Sequence, residues 1–258
     1  MSELTTLRIS VENHVALVTI DCPPVNALSR QLNDELTDTL DRMSDDPGVR
    51  AIVLTAQGKV FCAGADLKSR KNLGDTPGAL VAHLRRTREC FHAIRECAKP
   101  IVVAINGPAL GAGLAIVASA DILIASENAA LGLPEIDVGL LGGCRHAMRL
   151  FGHSLLRRMA LTGYRVPAEE LYRRGIIERC TTREELVPAA MEIAAAIASK
   201  SPVATKMAKH TMNTIEDMSL RDGYRYEQDM TAAISKTSDA KEALASFLEK
   251  RPPSFTGN

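Results

Sequence analysis

Two short turns built from very small residues stand out, because each could bind an anion through its backbone. A β-branched run at 101–105 leads through the turn 106–111 into an apolar, helix-like segment near Gly113. An upstream run at 51–55 leads in the same way into the segment Phe-Cys-Ala-Gly-Ala-Asp-Leu at 61–67. A helix that begins directly after such a turn presents amide N–H groups without partners, and these groups stabilise negative charge. Two such turns in one chain predict an oxyanion hole.

The composition limits the class of ligand that these turns could bind. The chain has 258 residues, 46% of them hydrophobic and 24% charged, as in ordinary globular proteins. Its 31 Lys and Arg balance its 31 Asp and Glu, so no global basic field attracts nucleic acid or an anionic membrane. Aromatic residues make up only 3% and Trp is absent, which argues against base stacking. We therefore expect a protein that handles small molecules, with neither nucleic acid nor a membrane as partner.

Targeting signals and cysteine usage indicate where such a protein works. Residues 1–6 lack a charged stretch followed by an apolar core, so no secretory signal is expected, and no apolar run is long enough to cross a bilayer. The six cysteines include no Cys-x-x-Cys pair, which makes metal and dithiol redox sites weak hypotheses. We expect reduced thiols, no metal site and a cytoplasmic location.

The order of predicted elements indicates an α/β fold built from repeated units. Apolar periodicity predicts strands over 6–10, 15–20, 51–55, 101–105 and 122–125. Helices starting at Ser29 and spanning 79–97 and 113–118 separate the later strands, so a strand–turn–helix unit repeats. From Ala168 onward we predict helices alone. A boundary near Ser201 would divide a sheet-rich body, residues 1–200, from a helical region, residues 201–258.

An ordered set of short motifs makes the chain similar to one known family. The motifs lie at 26–28 (Asn-Ala-Leu), 61–68, 99–100 (Lys-Pro), 106–113, 133–135 (Leu-Pro-Glu), 161–163 (Leu-Thr-Gly) and 247–251 (Phe-x-x-Lys-Arg). Each motif is weak alone, but together they resemble the crotonase family, also called the enoyl-CoA hydratase/isomerase family, from about Leu7 to Phe255. The resemblance implies a crotonase-like spiral of ββα units followed by a C-terminal helical trimerisation region.

The same resemblance implies an activity and its partners. Family members bind acyl-coenzyme A thioesters, often in fatty acid metabolism, and hold the thioester oxygen with two backbone N–H groups as it becomes enolate-like. Residue by residue, these donors are the amides of Ala65 and Ala112. Coenzyme A is then part of the substrate, and no separate cofactor is implied. The implied assembly is a homotrimer or a hexamer made of two trimers.

Contacts to coenzyme A are implied in two parts of the chain. Lys68, whose ammonium group could reach a phosphate or the ribose, follows Ala63 and Asp66 in the first of the two turns. A solvated surface lysine is the alternative interpretation of Lys68. Lys250 and Phe255 in the tail resemble residues that complete the nucleotide pocket, in some members from a neighbouring subunit.

The acidic residues bear on which reaction is catalysed. Hydratases of the family use two glutamates, whereas this chain has Ala115 at the first position and Glu135 at the second. Moving a double bond needs one carboxylate that removes a proton and returns it elsewhere. We therefore expect Glu135 to be catalytic, with its pKa raised by an apolar wall of Leu131, Leu133, Ile136 and Leu140, and isomerisation to be the favoured reaction.

Other interpretations stay open. Glu135 with a bound water could hydrate an enoyl-CoA, the loss of one acid could leave a non-catalytic acyl-CoA binder, and Glu135 could be a solvent-exposed residue at a helix entry. The loop 138–146 is about three residues shorter than is usual in the family, which leaves the acyl preference open. It brings Cys144 and His146 near the site. His146 could be a second proton carrier, although such a histidine is more often packed or exposed.

Overall fold

The computed structural model describes residues 4–67 and 76–258, which form two β-sheets and the helices around them. The strands are β1 (Leu7–Glu12), β2 (Val15–Ile20), β3 (Ala51–Ala56), β4 (Ile101–Ile105), β5 (Ala109–Leu110), β6 (Ile122–Ser126), β7 (Ala130–Gly132), β8 (Arg165–Pro167) and β9 (Arg179–Thr181). The larger sheet has 6 strands in the order β1-β2-β3-β4-β6-β9, and the smaller sheet has 3 in the order β5-β7-β8. The five strands predicted from apolar periodicity are all present, and all five lie in the larger sheet. This part of the prediction is confirmed.

Helices connect the strands and form the C-terminal part of the chain. They are α1 (Arg30–Asp45), α2 (Ala79–Glu96), α3 (Ala112–Ser119), α4 (Cys144–Ala147), α5 (His153–Thr162), α6 (Ala168–Arg173), α7 (Arg183–Ala198), α8 (Pro202–Ile215), α9 (Leu220–Ile234) and α10 (Ser238–Glu249), with a 3₁₀-helix over Pro134–Val138. Within the described chain no individual helix is long and apolar enough to cross a membrane. Only the pair α7 and α8, bent by 107°, passes that test of length and composition together.

The inner strands β2, β3, β4 and β6 of the larger sheet are buried on both faces, which explains their uninterrupted apolar sequences. Strands β1 and β2 pair antiparallel, whereas β2, β3, β4, β6 and β9 are parallel. On β4, Ile101, Val103 and Ile105 belong to the main core, while Val102 and Ala104 face a second cluster formed with α7. Because both faces exclude water, the carboxyl ends of the parallel strands are held rigidly where the small-residue turns begin.

Short parallel bridges join the turns that follow successive strands. Leu28 pairs with Ala65, Cys62 pairs with Ala109, and Ala109 of β5 pairs with Leu131 of β7. Each bridge links the segment after one strand to the segment after the next, and a helix usually follows. The repeated unit is therefore a long strand, a short strand or bridge, and a helix. This arrangement confirms the predicted α/β spiral of ββα units.

The prediction of helices alone after Ala168 is wrong, because β9 lies beyond that point. Strand β9 pairs in parallel with β6, with Cys180 opposite Ala125. Its three residues are exposed or half-buried at the edge of the larger sheet. A strand this short shows no apolar alternation in its sequence, so only its position beside β6 makes it a strand.

The C-terminal tail is held against the helical region by one carboxylate. Asp239 accepts hydrogen bonds from the Ser201 hydroxyl at 2.6 Å, the Thr256 amide at 2.8 Å and the Gly257 amide at 3.2 Å. Its own amide donates to the Asn258 carbonyl at 3.0 Å. Helices α8 to α10 agree with the prediction that the region 201–258 is helical, and the predicted boundary near Ser201 falls between α7 and α8.

We expect Asp239→Asn to loosen this tail and to lower the free energy of unfolding by about 1–2 kcal/mol, because an amide accepts fewer of these bonds. Burial alone would raise the pKa of Asp239, but the bonds from Ser201, Thr256 and Gly257 outweigh burial and hold the pKa below its usual 3.8. The stabilisation is therefore present above pH 3.8 and lost as the pH falls through the lower folded pKa. Thermal melts at pH 7 and under strong acid, with exposed Asp229→Asn as control, test this. An equal loss at both pH values would contradict it.

Candidate active site

The two turns predicted to form an oxyanion hole lie side by side. The Leu110 amide donates to the Cys62 carbonyl at 2.9 Å. A Cβ atom on Gly113 would lie 2.4 Å from that same carbonyl oxygen, so glycine is what allows α3 to begin so close to the first turn. Gly64, with φ of 109°, lies on the other side, where a Cβ atom would be 3.1 Å from the Leu110 carbonyl oxygen and 3.9 Å from the Ala112 amide nitrogen. The structure therefore brings the segments of Ala112 and Gly64 together.

The amides of Ala65 and Ala112 are unoccupied donors within the part of the chain that the structure describes. Ala112 is the first residue of α3, where no earlier turn of helix supplies an acceptor. Around Ala65 the backbone is fixed by bonds between Leu28 N and Gly64 O at 2.8 Å and between Asp66 N and Leu28 O at 3.3 Å. Two preorganised N–H groups of this kind can stabilise an oxygen that gains negative charge.

The carboxylate of Glu135 lies against the second turn. A Cβ atom on Gly111 would lie 2.3 Å from Glu135 Oε1, and one on Gly142 would lie 3.4 Å from the same oxygen. Gly111 immediately precedes Ala112, so the carboxylate is a close neighbour of one predicted oxyanion donor. The other oxygen, Oε2, is buried and accepts no hydrogen bond from any described residue. A buried carboxylate oxygen without a hydrogen-bond donor among the described residues is energetically costly.

The surroundings of Glu135 weaken its acidity. Burial raises the pKa of its carboxyl above the usual 4.5, and an interaction with its own backbone amide opposes the shift. The carboxylate opens into a cavity of about 300 Å³ whose walls are mainly apolar. The apolar lining includes Leu133, Ile136, Leu140, Leu141, Leu156 and Leu161. Three of the four residues predicted to form an apolar wall thus line the cavity, whereas Leu131 is buried in the main core.

His146 and Cys144, both on α4, occupy different surroundings. The His146 ring packs edge-on against Phe91 of α2, with ring centroids 4.9 Å apart, and it does not line the cavity. Burial, and then the nearby charge of Arg149, lower the pKa of His146, so it is kept neutral. The structure therefore gives His146 the packed position that was the alternative to proton transfer. Cys144 lines the cavity beside Glu135.

Three residues near the first turn were predicted to contact coenzyme A, and two of them, Ala63 and Asp66, lie in the described part of the chain. Lys68 lies outside the described residues. Ala63 is exposed and its amide donates to the Val25 carbonyl at 3.1 Å. Asp66 is half-buried directly after Ala65. Both described residues thus belong to the turn that presents the first free amide.

The predicted contacts in the tail are not brought to the site within one chain. Lys250 ends α10 with φ of 53° and is exposed. The Phe255 carbonyl accepts a bond from Arg50 at 3.5 Å, and Arg50 directly precedes β3. Phe255 is thus tied to the amino end of β3, whereas Ala65 follows its carboxyl end.

A network of ion pairs, which no local sequence pattern indicated, joins the segment after α8 to α2 and to the segment around α4. Glu216, after α8, pairs with Arg149 at 2.8 Å and with Arg95 of α2 at 2.8 Å. The next residue, Asp217, pairs with Arg145 of α4 at 3.0 Å. The partners Arg149 and Glu216 are 67 positions apart, so no local pattern could have paired them. These bonds tie the C-terminal helices to the segment that lines the cavity.

Comparison with known proteins agrees with this geometry. The model of the family described as enoyl-CoA hydratase/isomerase matches residues 10–258. A Rhodococcus jostii protein named (7aS)-7a-methyl-1,5-dioxo-2,3,5,6,7,7a-hexahydro-1H-indene-carboxyl-CoA hydrolase is 35% identical over 95% of this chain and 94% of its own length. A mitochondrial enoyl-CoA hydratase of Pongo abelii is 35% identical over 94% of this chain and 84% of its own.

The fold of a solved relative is also closely similar. The crystal structure of an enoyl-CoA hydratase from Bacillus anthracis superposes with a TM-score of 0.92 at 30% identity, over 98% of this chain and 100% of that one. The predicted crotonase-like spiral is thereby confirmed. The ordered motifs, the paired turns and these matches lead to one conclusion. This chain is a member of the enoyl-CoA hydratase/isomerase family.

Proposed function

We propose that the protein catalyses proton transfer on an acyl-CoA thioester, with Glu135 as the catalytic base. The amides of Ala65 and Ala112 would hold the thioester oxygen. The observation that carries this proposal is the Glu135 carboxylate, which lies against Gly111 with one buried oxygen left unpaired. Coenzyme A would enter as part of the substrate, with no separate cofactor, in a cytoplasmic enzyme.

Isomerisation of an enoyl-CoA is the reaction that one carboxylate can complete without help. Glu135 removes a proton from C2 of a 3-enoyl thioester, and the C–H electron pair becomes part of a dienolate. The two free amides stabilise its oxygen, by about 3–4 kcal/mol for each donor at comparable sites. Glu135 then returns the proton to C4, which leaves the double bond between C2 and C3. Ala115, buried on α3, has no group to take part.

A reaction that consumes water is the second candidate. The Pongo abelii relative is named a hydratase and the Rhodococcus jostii relative a hydrolase. In either reaction Glu135 would remove a proton from a water molecule rather than from carbon, and the same pair of amides would stabilise the thioester oxygen. The third candidate, a non-catalytic acyl-CoA binder, predicts binding without turnover.

A substrate comparison separates the candidates. A 3-enoyl-CoA and a 2-enoyl-CoA are incubated separately, while the conjugated-thioester absorbance and the release of free coenzyme A are recorded. Isomerisation predicts a rise in absorbance with the 3-enoyl substrate. Loss of absorbance with the 2-enoyl substrate alone would instead indicate hydration, and release of coenzyme A would indicate hydrolysis of the thioester. No change with either compound, despite binding, would support the binder.

We expect the pH dependence of kcat/KM to reflect the raised pKa of Glu135. Only the ionised carboxylate accepts a proton, so kcat/KM should fall about tenfold per pH unit on the acid side of its pKa. Because burial raises that pKa, the midpoint should lie above 4.5. A pH–rate profile measured on enzyme shown to stay folded tests this. An acid limb with its midpoint at or below 4.5 would contradict it.

We also propose assembly as a trimer or as two trimers. The support is apolar surface on the C-terminal helices, where Leu220 is 91% exposed, Phe247 80% and Leu248 70%. In such an assembly a neighbouring copy could supply the tail residues that one chain keeps away from its own site. Light scattering should give three or six times 27.8 kDa. A monomer at micromolar concentration would contradict the proposal.

A further inference from the structure

One cation lies in the wall of the otherwise apolar cavity. Arg157 of α5 lines the cavity together with Leu156 and Leu161 of the same helix. Among the described residues of the lining, the other ionisable side chains are Glu135 and Cys144. A guanidinium group in this position can bind the carboxylate of a ligand through two parallel hydrogen bonds.

Arg157 finds no acceptor within the part of the chain described here. No hydrogen bond or ion pair of its side chain is formed, and it is exposed. Its neighbour Arg158 behaves differently, because its guanidinium lies over the Tyr164 ring, 3.6 Å from the ring centroid. Arg145 of α4 is paired with Asp217. Arg157 therefore faces the cavity with its full bidentate donor capacity available.

We propose that Arg157 binds a carboxylate at the far end of the acyl group, so that the preferred substrates are thioesters of short dicarboxylic acids. This inference rests on the proposed function, which places the acyl group in the cavity beside Glu135. The charge of Glu135 would by itself repel an anionic acyl group, and Arg157 reverses that preference. Because Arg157 is exposed, water screens the pair, and we expect a modest gain in affinity.

The cavity volume is sufficient for a short acyl group of this kind. At about 30 Å³ for each water-sized group, 300 Å³ holds roughly ten non-hydrogen atoms. A five-carbon chain ending in a carboxylate fits within that number. Glutaryl-CoA is therefore a suitable probe, and 5-methylhexanoyl-CoA, in which two methyl groups replace the carboxylate oxygens, is its neutral isostere.

The test is binding of these two saturated thioesters, which requires no turnover. Titration calorimetry should show that wild type binds glutaryl-CoA more tightly than the isostere. Arg157→Met should weaken glutaryl-CoA binding about fivefold, the upper end of the range for an exposed ion pair. Binding of the isostere should change less than about twofold, because Met retains the apolar stem of the arginine. Arg158→Met is the matched control and should leave both affinities unchanged.

The outcomes also separate this inference from the proposed function. Tighter binding of the isostere by wild type, or an equal effect of Arg157→Met on both ligands, would overturn the role of Arg157 while leaving enoyl-CoA turnover intact. Conversely, discrimination that persists in a protein with no enoyl-CoA turnover would support Arg157 and contradict the proposed reaction.

Discussion

Replacing Glu135 by glutamine is expected to lower kcat by about 10²- to 10⁴-fold, the range typical of a lost general acid or base. An amide has nearly the shape of the carboxylate but cannot take a proton from carbon or water at neutral pH. The affinity for an acyl-CoA should change little, since the cavity and the two free amides are retained. Steady-state kinetics on the better of the two enoyl-CoA substrates, with calorimetric Kd values, measure both effects.

The matched control for this variant lies on the same 3₁₀-helix. Asp137 is exposed, and its carboxylate lies next to Gly163, where an added Cβ atom would be 2.8 Å from Oδ2. Asp137→Asn makes the same change of acid to amide without touching Glu135, so kcat should stay within about twofold of wild type. Comparable losses in the two variants would show that the negative charge of this helix, rather than proton transfer by Glu135, supports turnover.

The thermal stability of Glu135→Gln provides an independent check that the Glu135 carboxyl is buried. Because the folded pKa of Glu135 is raised, its ionised form is disfavoured in the folded state at neutral pH. Glu135→Gln should therefore melt at a higher temperature than wild type at pH 7. The difference should shrink as the pH falls below the raised pKa, where wild type is protonated as well. An inactive variant that is also less stable at pH 7 would indicate damaged structure.

Gly111→Ala is expected to lower kcat/KM by about 10²- to 10³-fold, the cost of misplacing one oxyanion donor. Gly111 has φ of 55° and ψ of −114°, a conformation that residues with a side chain rarely adopt. An added Cβ atom would lie 2.3 Å from Glu135 Oε1, so the carboxylate must move as well. One substitution should thus disturb both the amide of Ala112 and the base.

A second glycine nearby separates backbone strain from this collision. Gly139 ends the 3₁₀-helix with φ of 67°, but a Cβ atom there would meet nothing within 4 Å. Gly139→Ala should cost about 1 kcal/mol of stability from its left-handed backbone and leave kcat/KM nearly unchanged. If both alanine variants lose activity equally, strain in the loop rather than contact with Glu135 would explain the effect.

The sequence predicted the elements that have strong local patterns. The long strands of the larger sheet are continuous apolar runs, and Ser29 caps α1 by accepting from the Leu32 amide at 3.1 Å. The small residues of the two turns predicted free amides, and the apolar residues around Glu135 predicted weakened acidity. Each of these features is set by residues that are close together in the sequence, so it can be predicted from the sequence alone.

Other features depend on contacts between distant residues and left no local signal. Strands β5, β8 and β9 have two or three residues each, too few to show a period. The pairing of Arg149 with Glu216 is visible only when the C-terminal helices are packed against α4. The unpaired oxygen of Glu135 and the free guanidinium of Arg157 are defined by what surrounds them. The proposed chemistry and specificity depend on these two side chains, which the sequence alone could not place in their surroundings.

The most direct test of the account is a crystal structure of the wild-type protein with an unreactive saturated acyl-CoA. We predict that the thioester oxygen lies about 2.7–3.1 Å from the amide nitrogens of both Ala65 and Ala112, the distance that a preformed donor pair requires. A carboxylate oxygen of Glu135 should face C2 of the acyl chain. A thioester oxygen that contacts neither amide, or a Glu135 side chain turned away from the acyl group, would contradict the account.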